Sequence, residues 1–294
     1  MMYLKRIFPY IIAIPALLSV NTLTSYESEA SADSNKHFEQ KYRLSSTFET
    51  EYDLQKKMIE NKVQQLITIY IDNAVNGAKR ILESKKHTSY LSAVCKELPG
   101  APSDKKRGTV HCLYGQYTQL NRAIQEIGDT IQIIPNTNNA HMATSSFKRN
   151  MSQLYDNPEY PNSIHRGCLY ATDAEYTKAL NKYLATQTNN KKGDADSLRT
   201  HYTKEFEKNN YCASTLNPGT IIIVSSGHAI MYLGQGEIKN NEFVPDENGQ
   251  AICCAYNHEQ TAIYLRTWDT KNSFAADIQN IATQKYYAQL VKSR

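Results

Sequence analysis

Strong net charge, long apolar runs and dense cysteine are all missing from this sequence of 294 residues. Lys plus Arg number 33 against 29 Asp plus Glu, a formal balance of +4, which argues against a surface dedicated to nucleic acid. Nine Pro and 12 Gly exclude collagenous and low-complexity chains, and 40% hydrophobic residues supply enough apolar surface for a packed core. Six Cys are too few for a disulfide scaffold. The sequence has no Walker loop, no dinucleotide-binding glycine fingerprint and no GxSxG elbow. No CxxC or spaced His pair completes a zinc site around His258. Neither a cofactor nor a metal is therefore expected. What is abundant is tyrosine, 21 against seven Phe and one Trp, which gives ring area that keeps a polar hydroxyl.

Lys5 and Arg6 precede an apolar stretch from Ile7 to Val20, broken by Pro9 and Pro15, and a polar segment with Ala30-Ser31-Ala32 follows. This is the three-part layout of a secretory signal, and the stretch falls short of the ~20 apolar residues that span a bilayer. Residues 1–32 are read as a signal peptide, and the mature protein as secreted or periplasmic with no stable membrane insertion. That compartment permits disulfides.

From Asn35 to Lys86 there is no proline, and Val63, Leu66, Ile67, Tyr70, Ile71, Ala74, Val75, Ala78, Ile81 and Leu82 recur in steps of three and four. Such steps line one face of a helix. A further helix is expected through Tyr117, Leu120, Ile124 and Ile127, stopped at Gly128, and a short one through Phe147, Met151 and Leu154. Pro158 and Pro161 break the chain, and a boundary is placed near residue 160. Beyond it, helices are expected to start near Cys168 and to carry Leu198, Tyr202 and Phe206. Strands are expected over Thr220–Val224, His228–Leu233, Ala251–Tyr256 and Thr261–Trp268, before a terminal helix from Phe274 to Leu290. This order is α+β: a mainly helical region over 33–160 and a mixed domain over 161–294.

Cys168, His228 and Asn257 form the candidate catalytic constellation. A thiol becomes nucleophilic when its pKa falls from about 8.5, which a helix N-terminus and a neighbouring imidazole favour. Cys168 is read at a helix start, His228 at the head of a strand, and Asn257 at the end of the next, where an amide can fix the imidazole tautomer. His165, three residues before Cys168, is read as a solvated loop residue, and Lys191-Lys192 and Lys105-Lys106-Arg107 as solvated loops.

The text Asn217-Pro218-Gly219-Thr220-Ile221-Ile222-Ile223-Val224, followed by two serines and Gly227-His228-Ala229-Ile230-Met231-Tyr232-Leu233-Gly234, resembles the central hairpin of CHAP-type amidases and their NlpC-type relatives. The resemblance covers Ser163 to the C-terminus. It implies a papain-like domain in which a helix bearing the Cys packs on an antiparallel sheet bearing the His. It further implies a cysteine hydrolase acting on amide bonds, with peptidoglycan or a peptide as substrate. Cys168 then supplies the nucleophile, His228 the base and Asn257 the orienting group. The chain departs from the family in a longer hairpin between Gly234 and Ala251, which makes Asp246 a second candidate for the orienting role. Cys112, in His111-Cys112-Leu113-Tyr114 before a helix, is a second candidate nucleophile; its other reading is a disulfide with Cys95. Cys253 and Cys254 adjoin on one strand and must face opposite ways, one of them within reach of Cys212. Two other functions fit the same features: a secreted effector or toxin acting on a host or competitor, and a non-catalytic papain-like module whose N-terminal helices dock a protein partner.

Overall fold

The computed structural model describes residues 34–98, 110–134, 144–155, 157–189, 193–224, 227–240, 242–256, 262–263 and 272–292, without side chains for 34–50, 90–91, 110–111 and 262–263. The expected signal peptide, residues 1–32, lies outside them. The chain divides into two compact units, Met1–Thr50 and Glu51–Arg294. Among the described residues no helix is long and apolar enough to cross a membrane.

Helix α1 runs over Ser34–Lys85. Of its expected stripe, Val63, Leu66, Ile67, Tyr70, Ala74, Ala78 and Ile81 are buried, while Ile71, Val75 and Leu82 are half-buried. Each fully buried large aliphatic contributes about 1.5–3 kcal/mol, far more than helix propensity, so tertiary packing holds this part of the helix. Helices α2 (Tyr90–Glu97), α3 (Val110–Glu126) and α4 (Thr144–Ser152) follow. Gly128 ends the α3 turn at φ +68°, the left-handed conformation that stops helices.

The remaining elements are β1 (Ile164–Tyr170), α5 (Asp173–Thr188), α6 (Ala195–Glu207), β2 (Asn210–Cys212), β3 (Ile221–Ile223), β4 (Ala229–Lys239), β5 (Glu242–Pro245), β6 (Gln250–Ala255), β7 (Ala262–Ile263), β8 (Ser273–Ala276) and α7 (Ile278–Lys292). Seven strands run in the order β2-β1-β8-β3-β4-β6-β7, with β5 paired to β4 off that path. β1 and β2 are parallel, and the other pairs are antiparallel. The α+β class read from the sequence is the class observed.

Strand alternation divides the apolar residues between two clusters. Ile221, Ile223, Ala229, Met231, Ile252, Cys254 and Tyr256 face a large core that includes α1, α3 and α4 residues. Ile222, Ile230, Tyr232, Cys253 and Ala255 face a smaller one with Leu169 and Tyr211. Cys253 and Cys254 therefore point to opposite faces, as their adjacency requires. Helices that precede Pro158 share the larger core with strands that follow Pro161, so the prolines interrupt the chain and not the core.

Candidate functional site

His228 sits in the turn between β3 and β4, immediately before Ala229. Val224 N–H donates to the His228 carbonyl at 3.0 Å and Gly227 N–H to the Val224 carbonyl at 2.8 Å. Gly227 holds φ +80°, a conformation that L side chains rarely adopt. Burial pushes the His228 imidazole below its usual pKa.

Cys112 lies in the first turn of α3, and its sulfur accepts the Ala229 N–H at 3.2 Å. The sulfur thus meets the backbone of the residue that follows His228, although 116 positions separate Cys112 from His228 in sequence; Val224, the cross-strand neighbour of His228, belongs to the opposite cluster from Cys112. Cys112 is fully buried. Burial pushes its thiol up to about 11, outweighing the opposite pull of the Ala229, Leu113 and Cys112 backbone groups that bond to the sulfur. Both shifts favour the neutral form of each group.

Cys168 is placed differently from its expected position. It lies within strand β1, pairing with Asn210 of β2, and no helix begins there: α5 starts at Asp173, capped by Thr172, whose side chain accepts the Glu175 N–H. β8 and β3 separate β1 from β4, so three strand spacings, roughly 14 Å, lie between Cys168 and the His228 strand. The structure therefore does not bring Cys168 to His228. Asp246 is also remote: its N–H donates to the Gln235 carbonyl, seven residues along β4 from His228, roughly 20 Å away. Asn257 and His258 lie outside the described residues. The β4–β6 ladder is described as far as Ile230 opposite Ala255, two residues short of His228 on one strand and of Asn257 on the other.

None of the six cysteines is in a disulfide, so neither the Cys95–Cys112 bridge nor one from Cys212 forms. The Cys212 thiol instead donates to Asp173 Oδ1 at 3.1 Å.

What fixes α3 on the sheet is Tyr256, one residue before Asn257 and fully buried. Its hydroxyl donates to the Ala74 carbonyl of α1 at 2.8 Å. Gly115 of α3 lies against its ring and Gly77 of α1 against its hydroxyl; a Cβ at either would stand 2.7 Å from a Tyr256 atom. Gln116, one turn beyond Cys112, is buried and donates to the Cys254 carbonyl at 3.5 Å, while its Oε1 accepts from the Tyr70 hydroxyl at 3.5 Å. Sequence reading missed Tyr256 as a wedge; the signal was two glycines on helical faces, each on the buried side.

Comparison with protein-family models, with curated proteins and with solved structures returns no match for this chain.

Proposed function

We propose that the protein is an exported cysteine hydrolase of papain-like arrangement in which Cys112, rather than Cys168, is the nucleophile. The observation that carries this reading is the Ala229 N–H on the Cys112 sulfur at 3.2 Å, next to His228. A helix bearing a Cys against an antiparallel sheet bearing a His is the layout implied by the hairpin resemblance, and Cys112 on α3 and His228 before β4 supply both halves.

His228 takes the thiol proton as sulfur attacks the amide carbonyl and forms a C–S bond. The imidazolium returns that proton to the departing amine as the C–N bond breaks. Water then attacks the thioester, giving its proton to His228, and the acid leaves with the thiol restored. The Cys112 and Leu113 N–H groups of the first turn of α3, which bond to the sulfur at rest, are the assigned donors to the oxyanion. Asn257 is assigned the orienting role. The substrate is an amide bond of peptidoglycan, the polymer that an exported protein of this kind meets first; a host or competitor protein is the alternative target.

Complete burial of Cys112 supports a second reading, a papain-like module without catalysis. Digestion of purified peptidoglycan by the full chain, with product masses recorded, separates the two. Release of new fragments that survives Cys168→Ala and disappears in Cys112→Ala supports the hydrolase. Release lost in Cys168→Ala and kept in Cys112→Ala overturns the assignment, and no release from peptidoglycan or protein substrates supports the module.

A further inference from the structure

The long segment between Gly234 and Ala251 closes one side of a cavity of about 470 Å³. That volume falls within the range of small-molecule sites. Leu216, Pro218 and Pro245 give it apolar walls, Tyr232 and Gln235 line it from β4, and Asp246 and Glu247 stand exposed at its rim.

The polar groups share one face of the sheet. Tyr232 pairs with Cys253 and Gln235 with Ala251 across the β4–β6 ladder, and Tyr232, Cys253, Ala251 and Leu216 all belong to the smaller cluster. A register shift between Tyr232 and Gly234 absorbs one residue, so that positions three apart on β4 face the same way. Gly236 pairs with Pro245, which sets Asp246 opposite Gln235, and the Asp246 N–H donates to the Gln235 carbonyl at 3.1 Å. Residues directly opposite on antiparallel strands lie on one side. Gly234 lines the cavity without a side chain: a Cβ there would stand 3.5 Å from Phe243 Cζ and 3.9 Å from Pro218 Cγ and begin to fill the gap.

These groups are also uncommitted. Tyr232 is 2% exposed, yet its hydroxyl has no hydrogen-bond partner among the described residues. A buried tyrosine hydroxyl usually has one. Asp246 Oδ1 accepts the Asn248 N–H at 3.0 Å, which fixes the carboxylate and leaves Oδ2. Neither Asp246 nor Glu247 forms an ion pair among the described residues, and no Lys or Arg lines the cavity. Apolar walls that end in two carboxylates and a phenol oxygen match an alkyl chain that ends in a positive charge.

We propose that this cavity binds an aliphatic ammonium, the group that ends a lysine side chain or a free alkylamine. The alkyl stem lies between Leu216 and the two prolines, and the ammonium, a triple donor, donates to the two carboxylates and to the Tyr232 hydroxyl oxygen. The inference is independent of the Cys112 reading, because Asp246 lies roughly 20 Å along β4 from His228.

The test is NMR titration of the ¹⁵N-labelled full chain with pentylamine, its neutral analogue pentanol, and N-acetyl-lysine methylamide, following the Gly234 and Gln235 amide resonances. Pentylamine is expected to bind about fivefold more tightly than pentanol, as two exposed ion pairs permit. That preference is lost when Asp246→Asn and Glu247→Gln are combined, a change at two exposed positions that leaves the fold intact. Tyr232→Phe keeps the ring and weakens pentylamine about threefold. Added salt weakens the amine and not the alcohol, a readout that needs no variant to fold. Binding of both amines assigns the cavity to lysine side chains, and binding of pentylamine alone to a free amine. Equal binding of pentylamine and pentanol, a preference that survives the double variant, an unchanged amine affinity in Tyr232→Phe, or no amide shift at tens of millimolar amine overturns the proposal.

Discussion

Gly115 presents its bare Cα to the ring of Tyr256: a methyl group there would stand 2.7 Å from Cδ2 and 2.8 Å from Cγ. Neither the ring nor the helix backbone can yield cheaply, since the Tyr256 hydroxyl is anchored to α1. Gly115→Ala should therefore destabilise the fold by about 1–3 kcal/mol, the usual cost of overpacking a core. It should also slow any Cys112-dependent hydrolysis, because α3 can relieve the clash only by lifting and taking Cys112 with it. Denaturant midpoints together with turnover rates check both effects.

Tyr256→Phe keeps the wedge and removes only the hydroxyl that donates to Ala74. The expected loss is about 1 kcal/mol, a single buried hydrogen bond. The rate of any Cys112-dependent hydrolysis should be unchanged, in contrast to Gly115→Ala, and the same two measurements show whether the effects separate.

Asp129 links three helical segments: it pairs with Lys62 of α1, accepts from the Tyr286 hydroxyl of α7 at 2.9 Å, and accepts the Thr130 and Ile131 N–H groups just beyond α3. Burial opposes its ionisation, but these partners outweigh burial and hold the carboxyl at about 2, against an ordinary 3.8. A depressed carboxylate contributes stability that is full above its unfolded value and fades as pH falls through the folded one. Urea midpoints should accordingly drop between about pH 4 and pH 2, and Asp129→Asn should flatten that part of the profile.

Glu97 at the end of α2 accepts two bonds from Arg80, at 2.6 and 2.7 Å, and one from Arg122 at 3.0 Å. The Glu97 side chain is only 12% exposed, while that of Arg80 is 55% exposed. Exposed partners contribute little, so Arg80→Ala should cost under about 1 kcal/mol. Glu97→Ala takes the carboxylate from Arg122, leaving it the carbonyl at position 97 and Gln119 Oε1, and should cost about 1–3 kcal/mol. Thermal melts of the two variants give the order.

Thiol alkylation of the folded chain should follow burial. Burial pushes Cys112 up to about 11 and Cys253 and Cys254 up to about 12, whereas Cys95 and Cys168 are only half-buried. Iodoacetamide at pH 8 should therefore mark Cys95 and Cys168 well before the other three, as read by peptide mass. Faster labelling of Cys112 than of Cys168 at pH 6 would show a thiolate–imidazolium pair instead of the neutral groups.

The parts of the fold legible in the sequence are those whose signal is local. The α1 stripe, the Gly128 stop and the Ile221–Ile223 strand each follow from spacing or a turn residue within one element. The Cys168 segment misled because Leu169 and Tyr176 stand seven apart, a helical spacing, and so joined the end of β1 to α5 across Thr172. Period-two alternation through Ile164, Arg166, Cys168 and Tyr170 is interrupted by a charge, which hid the strand. β8 was likewise absorbed into the terminal helix, since Phe274 and Ile278 are four apart. The Cys112–Ala229 contact joins elements on opposite sides of a long intervening segment, and only packing of α3 on β4 brings them together. His228 was recognisable because its glycine turn is adjacent in the chain; Cys112 stood only as the second candidate nucleophile, since nothing local to it in the chain points to Ala229.

The adjacent pair Cys253-Cys254 gives the two sides of the sheet separate reporters. Because each sulfur is sealed into a different apolar cluster, reaction of either with a small disulfide reagent requires its own side to open. Comparing their rates across a denaturant gradient, peptide by peptide, measures whether the helical side and the opposite side unlock in one cooperative event or in sequence. A two-residue stretch of β6 thus provides an internal clock for how this protein comes apart.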